Sequence, residues 1–346
     1  MRLPSPRGVL SEALINSLQA DRPLPDFPAR QMARLTADPA VDTTCDEDLQ
    51  LTLLVCYELS YRGLDGVEDR WEWDAGLLAL RTRIEAAFER NLREQLPLPE
   101  QIRSGDVDRA LSWLVTNDDG PPLSRYLQKR ATLEQAREFA VHRSIYQLKE
   151  ADPHSWALPR LAGRAKAALL EIQFDEYGEG RLDRMHSTLF AGTLRALDLD
   201  DSYGAYVDNV PASTLATVNV ISLFGLQRRL RGALMGHLAA YEMSSSIPNR
   251  RYGDGLRRHG YGRAATEFYD EHVEADAVHE QIAAVDLCGS LVAAEPHLRD
   301  DVLFGASAAL ALDNRFAGAL LSSWQQGGTS LGLPLPAGSP GIQGVA

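Results

Sequence analysis

A chain of 346 residues, 45 % of them hydrophobic, is long enough to bury a substantial core in one or two domains. Its formal charge of −13 argues against a general affinity for nucleic acid or anionic membranes, which need a basic surface to displace counterions. No run of about 18 apolar residues is present, so no transmembrane helix is expected, and MRLPSPRGVL lacks the apolar stretch of a secretion signal.

Residues 1–45 are rich in Pro, Asp and Arg and read as a loose lead-in with one short helix over 10–20. A helical region follows over 46–119. LQLTLLVCYELSYRG is apolar at helical spacing and stops at Gly63, and DAGLLALRTRIEAAFERNLREQL is amphipathic and ends before Pro97. The first of these stripes is too wide for a free helix and must bury against its own core or a second chain, so this region is a candidate for dimerisation or for covering the core. Trp71 and Trp73 are read as packing it onto the core. The polar stretch TNDDGPP marks a boundary, and long helical periods fill 120–325. Residues 326–346, rich in Gly, Pro and Ser, read as a flexible tail. No segment alternates with a period of two, so the class is all-α.

Cys45, Cys56 and Cys288 show no metal-binding spacing, and their odd number leaves a thiol unpaired. They read as small hydrophobes in a reducing, cytoplasmic setting.

EHVEADAVHE carries the strongest chemical signal. His272, Asp276 and His279 lie at i, i+4 and i+7, within roughly 60° of one helix face. Imidazole and carboxylate suit iron, and helices presenting them inward build the metal sites of bundles. EIQFDEYGEGRLDRMH adds Glu176 and His186. An unbroken helix would hold them about 15 Å apart, so a shared metal requires a kink at Gly178 and Gly180. Glu150 and Glu242 each end an apolar helical stripe, where a buried carboxylate needs a cation or a metal.

With these residues in order, the stretch from about 120 to 325 resembles the haem-oxygenase-like di-iron oxidases, a family of iron-containing redox enzymes. The resemblance implies a seven-helix haem-oxygenase-type bundle, here with an extra N-terminal helical region, in which two irons replace the haem. It implies Glu150 as the ligand on the first core helix, Glu176 and His186 on the second and Glu242 on the third, with His272, Asp276 and His279 closing the set. Asp183, which forms a D-x-x-H pair with His186, is the alternative carboxylate on the second helix. The resemblance further implies O2 as co-substrate and a small organic substrate undergoing N-oxygenation, desaturation or C–C cleavage, with an external electron donor as an optional partner. The ligand set alone does not choose iron over manganese.

Two other readings stand beside this one. A metal-free thiaminase-like enzyme on the same fold needs a cavity cysteine, for which the core offers Cys288. A non-catalytic metal- or haem-binding module is the other, although haem would leave the four carboxylates unexplained. Arg250 and Arg251 in SIPNRRYGDG read as a solvated basic loop, and His154 after Pro153 as a cap or surface residue. Glu138 and His142, four apart, read as a structural pair, while Tyr146 and Tyr177 suit either a cavity wall or the core.

Overall fold

The structure is a computed structural model describing residues 1–25, 42–333 and 335, with the side chains of 274–278 outside that description. Among the described residues there is no strand, as the absence of period-two segments predicts. The helices are α1 (Val9–Ala20), α2 (Glu47–Glu58), α3 (Ala75–Gln95), α4 (Val107–Thr116), α5 (Leu123–Lys129), α6 (Leu133–Gln147) and the single turn α7 (Asp152–Ser155). They continue as α8 (Gly163–Glu176), α9 (His186–Ala196), α10 (Ala212–Leu226), α11 (Arg231–Ser244), α12 (Ser246–Arg258) and α13 (Arg263–Gln281). A π-helical stretch, Ile282–Gly289, leads into α14 (Ser290–Ala294) and the long α15 (Arg299–Gln325).

Short polar residues start the helices that matter most. Asp46 and Asp74 accept from the backbone N–H of Leu49 and Leu77, both at 2.9 Å, and cap α2 and α3. Thr132 and Gln135 form a reciprocal capping box at the start of α6. Gln227, in extended conformation, divides the long apolar stretch after Pro211 into α10 and α11.

The wide stripe of α2 finds its partner within its own chain. Every residue from Leu49 to Glu58 is buried, and Leu53 and Tyr57 share an apolar cluster with Phe88, Phe224, Leu234 and Leu303. Polar contacts fix the same junction: Asn219 Nδ2 donates to Gln50 at 2.8 Å, and buried Glu58 accepts from Lys149 and from the Tyr203 hydroxyl. In the middle of the core α11 crosses α15 through glycines. A Cβ on Gly236 would lie 1.8 Å from the Val302 carbonyl oxygen, and one on Gly305 1.9 Å from that of Ala233. Only hydrogen fits between the two backbones.

Several local readings are corrected. Trp71 is buried, with its indole N–H on Asp21, but Trp73 is 74 % exposed and packs nothing onto the core. SIPNRRYGDG is not a loop but most of α12, because Pro248 falls in the first turn, where its missing N–H costs no helical bond. His154 is buried rather than on the surface. Glu138 and His142 do form a structural unit, bridged by Ser330, whose N–H and hydroxyl donate to Glu138 at 2.8 and 2.7 Å. Residue 334 and those from 336 onward in the expected tail lie outside the described residues. No helix among the described residues is long and apolar enough to cross a membrane.

Candidate metal centre

The kink predicted between Glu176 and His186 is present. α8 ends at Glu176, and Gly178, Glu179 and Gly180 all adopt positive φ (62°, 56° and 78°) in one short turn before a 3-10 turn, Leu182–Arg184, leads into α9 at His186. Gly178 is required twice over, because a Cβ there would stand 2.4 Å from the backbone of Arg184 and Met185. The reversal brings His186 Nδ1 to 2.9 Å from Glu176 Oε2.

Glu150 leaves the C-terminal end of α6 on a turn whose next residue, Ala151, has φ +73°, and Gln173 Nε2 holds the Ala151 carbonyl at 2.9 Å. His272, on α13, places Nε2 3.5 Å from Glu150 Oε1. Its Nδ1–H donates to the Phe268 carbonyl at 2.8 Å, which fixes the tautomer and leaves Nε2 as the electron-pair donor. Two turns further on, His279 Nδ1 lies 3.3 Å from Glu242 Oε2, while its Nε2–H donates to Asp175 Oδ2 at 2.8 Å.

These side chains form two groups in which one potential donor atom from each member lies within 4.8 Å of the others: Glu150, Glu176, His186 and His272, and Glu176, Glu242 and His279. Glu176 belongs to both. Glu150 Oε2 is buried without a hydrogen-bond partner, and the buried pairs Glu176 Oε2–His186 Nδ1 and Glu242 Oε2–His279 Nδ1 lack well-aligned hydrogen bonds. Crowding so many buried carboxylates and imidazoles together is costly, and the cost falls if cations occupy the space between them. Three imidazoles and three carboxylates, one shared, therefore fit a pair of first-row divalent metals. Asp276 lies on the same helix, but its side chain is outside the described residues. Asp183 is exposed and belongs to neither group among the described residues.

Without metal, the cluster balances itself with protons. Burial alone would raise the Glu176 carboxyl, but His186, His272 and His279 outweigh it and hold the group down to about 2. Burial would lower His279, yet Glu242 and Asp175 bring it up to about 9, and His186 is raised by Glu176. Glu150, for which burial dominates, is raised.

Sequence reasoning missed three features. Asp175 precedes Glu176 in DEYG and looks like another surface acid until α8 and α13 pack together. His154 and His237 are buried with Nε2 and Nδ1 3.4 Å apart, and burial pushes His154 down to about 4, so both stay neutral. A cavity of about 270 Å3 opens onto Glu150, Glu176, Glu242 and His272, with Tyr146 and Tyr241 in its wall. The TNDDGPP stretch lies over its rim, where Asp118 accepts from Asn314 at 2.5 Å. Tyr177 instead binds Asp152 at 2.9 Å, away from the cavity.

Comparison with known proteins agrees with this architecture. A nitrosourea synthase from Streptomyces achromogenes subsp. streptozoticus is 28 % identical over 242 residues, covering 67 % of this chain and 51 % of the relative. The chain thus spans about half the length of that relative. A family model described as an iron-containing redox enzyme matches residues 137–314, which hold every one of the converging carboxylates and imidazoles. Since that match covers half the chain, the protein belongs to the iron-containing redox enzyme family, within the haem-oxygenase-like superfamily.

Proposed function

We propose that this protein is an O2-activating non-haem di-iron oxidase or oxygenase acting on a small organic substrate, with Glu150, Glu176, His186, Glu242, His272, Asp276 and His279 as the metal ligands. The observation that carries this reading is the position of Glu176 in both groups of converging carboxylate and imidazole atoms, so that its carboxylate would be the one shared between two metals. When bound, an iron pair supplies the reducing equivalents needed to activate O2. The chain's own residues do the rest. The Phe268 carbonyl and Asp175 each hold one ring nitrogen of His272 and His279, so that the other would be left to bind a metal. Glu176 and Glu242, both buried, and the partly buried Glu150 would offset the charge of two divalent cations, and the cavity beside them would hold the substrate. The relative's product name adds support for N-oxygenation, since a nitrosourea carries an oxidised nitrogen. Desaturation and C–C cleavage are the alternative outcomes for the same centre.

A metal-free cysteine enzyme is disfavoured by the position of Cys288. Burial raises its thiol, which faces the Met235 carbonyl at 3.5 Å and does not line the cavity. The test is to purify the protein without oxygen, load it with Fe(II), measure metal content and mix it with O2. Two irons per chain and a transient visible absorption, both lost in Glu176→Ala, are the expected result. No more than trace iron and no absorption would overturn the reading, and manganese in iron's place would correct the metal.

A further inference from the structure

The N-terminal helical region supplies no member of either donor group among the described residues, yet it reaches the centre through one short segment. α6 ends at Gln147, so Glu150 is not carried by a helix. It sits in a turn where the N–H of Lys149 donates to the Tyr146 carbonyl at 2.8 Å and that of Asp152 to the Lys149 carbonyl at 3.1 Å, around the positive φ of Ala151. A turn lacks the repeating bonds that hold a helical side chain in one direction, so a ligand placed on it depends on outside contacts for its aim.

The end of α2 and the residues just after it grip that turn. Glu58 accepts from Lys149 Nζ at 2.5 Å, with the lysine and glutamate side chains 1 % and 2 % exposed. Tyr61 lies against the same ammonium, its ring centroid 4.3 Å away, and its hydroxyl meets Ser222 Oγ of α10 at 3.1 Å. Arg62 Nη2 donates to the Leu148 carbonyl at 3.0 Å and lies 4.0 Å from Asp152 Oδ2. The other oxygen of Glu58 is fixed by the Tyr203 hydroxyl at 2.5 Å, and Arg62 packs over the Tyr203 ring at 4.4 Å. A buried lysine and glutamate are costly, and an apolar pair of similar size would join α2 to the core as well or better. What an apolar pair would not supply is direction, since a charge-assisted hydrogen bond holds its partners in one geometry.

We infer that Glu58, Tyr61 and Arg62 are positioning residues for the metal centre. By clamping Leu148, Lys149 and Asp152 they aim Glu150 at His272 and the shared Glu176, so the N-terminal helical region completes the centre although it supplies none of its donors. Lys149 and Glu150 are consecutive and serve opposite sides: one side chain runs to α2, the other lines the cavity. Fixing the first leaves the second little freedom to swing. Glu150 as a ligand rests on the proposed oxidase reading, whereas the clamp on its segment does not.

The test uses the full chain as the parent, as Arg62→Met, and as the double variant Glu58→Gln/Lys149→Met, in which both charges of the buried pair go together and neither is left alone. Hydrogen exchange is followed by mass spectrometry on the metal-free proteins. Fe(II) uptake under argon is followed by Mössbauer spectroscopy, with the Glu150 and Glu242 positions assigned from Glu242→Ala. The amides of 148–152 are expected to exchange about tenfold faster in both variants, while α11 exchanges as in the parent. Iron should bind about tenfold more weakly or worse at the Glu150 position and stay within about threefold of the parent at the Glu242 position. Exchange at the parent rate over 148–152 in either variant overturns the inference, as does iron binding that is unchanged or is weakened equally at the two positions. Equal weakening is what a junction that only holds the fold together would give. Should the double variant fail to fold, Arg62→Met, whose side chain is half-exposed, still decides. A parent protein that takes up no iron counts against the oxidase reading instead, and the exchange rates then decide on the clamp by themselves.

Discussion

Asp175 and His279 meet across 2.8 Å, a half-exposed carboxylate holding the Nε2–H of a fully buried imidazole whose other nitrogen faces Glu242. This contact decides which nitrogen of His279 is free to bind metal. Asp175→Asn keeps the shape but can present an N–H to the ring and favour the wrong tautomer. Iron affinity at the Glu242 side is expected to fall about 10- to 100-fold, with the Glu150 side little changed. Iron titration followed by Mössbauer spectroscopy of the half-loaded protein reads the two positions separately.

Glu176 and Glu242 should differ in kind when removed. Glu176 is common to both groups, whereas Glu242 belongs to one. Glu176→Ala is expected to lower iron content well below one per chain, and Glu242→Ala to leave about one, since most of the donors for the first position remain. Metal analysis of the two variants, prepared side by side, checks this. Equal losses would mean that Glu176 does not bridge.

Protons and metal compete for His279. With no metal bound its pKa is raised to about 9, because Glu242 and Asp175 outweigh burial, so at neutral pH the imidazole carries a proton that iron must expel. Iron affinity should therefore rise by up to about tenfold per pH unit from neutrality toward 9, with proton release visible in weakly buffered solution. The metal-free protein behaves oppositely. A raised folded-state pKa adds stability that is complete below the ordinary histidine value of about 6.5 and is lost as pH rises through about 9. Thermal unfolding of metal-free protein across that window should show a decline, and metal-loaded protein should not.

Gly178 tests the kink itself. An alanine there must hold φ near +62° and place its Cβ 2.4 Å from the Arg184–Met185 backbone, so the turn has to open. Gly178→Ala is expected to destabilise the protein by about 1–3 kcal/mol and to reduce iron binding through the displaced His186. Gly180→Ala, with the same sign of φ but nothing within 4 Å of its Cβ, should cost less and leave iron content intact. Denaturant unfolding and metal analysis of the two variants separate strain from collision.

Much of this was legible before any coordinates. The i, i+4, i+7 spacing in EHVEADAVHE and the two glycines between Glu176 and His186 are local signals, and the chemistry of a shared metal forces a turn at those glycines. Helical periodicity likewise fixed the class, because no segment offers a strand's alternation. What stayed hidden depends on packing between distant segments. Asp175 and Glu176 are adjacent acids of similar appearance, and only the approach of α13 makes one a ligand candidate and the other a hydrogen-bond acceptor. His154 seemed exposed because it follows Pro153 in a polar turn, whereas that turn folds inward against His237. The Glu58–Lys149 pair joins residues 91 positions apart. No periodicity within a single helix announces it.

The glycines at the α11–α15 crossing carry the last prediction. Glu242 rides on α11 six residues beyond Gly236, so the depth to which α11 sinks against α15 sets the position of that carboxylate. A Cβ on Gly236 would stand 1.8 Å from the Val302 carbonyl oxygen, well inside van der Waals contact, and the obstacle is backbone rather than a movable side chain. Gly236→Ala must therefore push the helices apart, and it is expected to cost about 1–3 kcal/mol as an overpacked core does. The same displacement should weaken iron binding at the Glu242 and His279 side more than at the Glu150 side. Gly289→Ala, in the π-helical stretch, meets nothing closer than 3.6 Å and should change stability by no more than about 0.5 kcal/mol. If Gly236→Ala is as stable as the parent and binds two irons, the close crossing does not position the metal centre, and Glu242 must be held by its own turn of α11 alone.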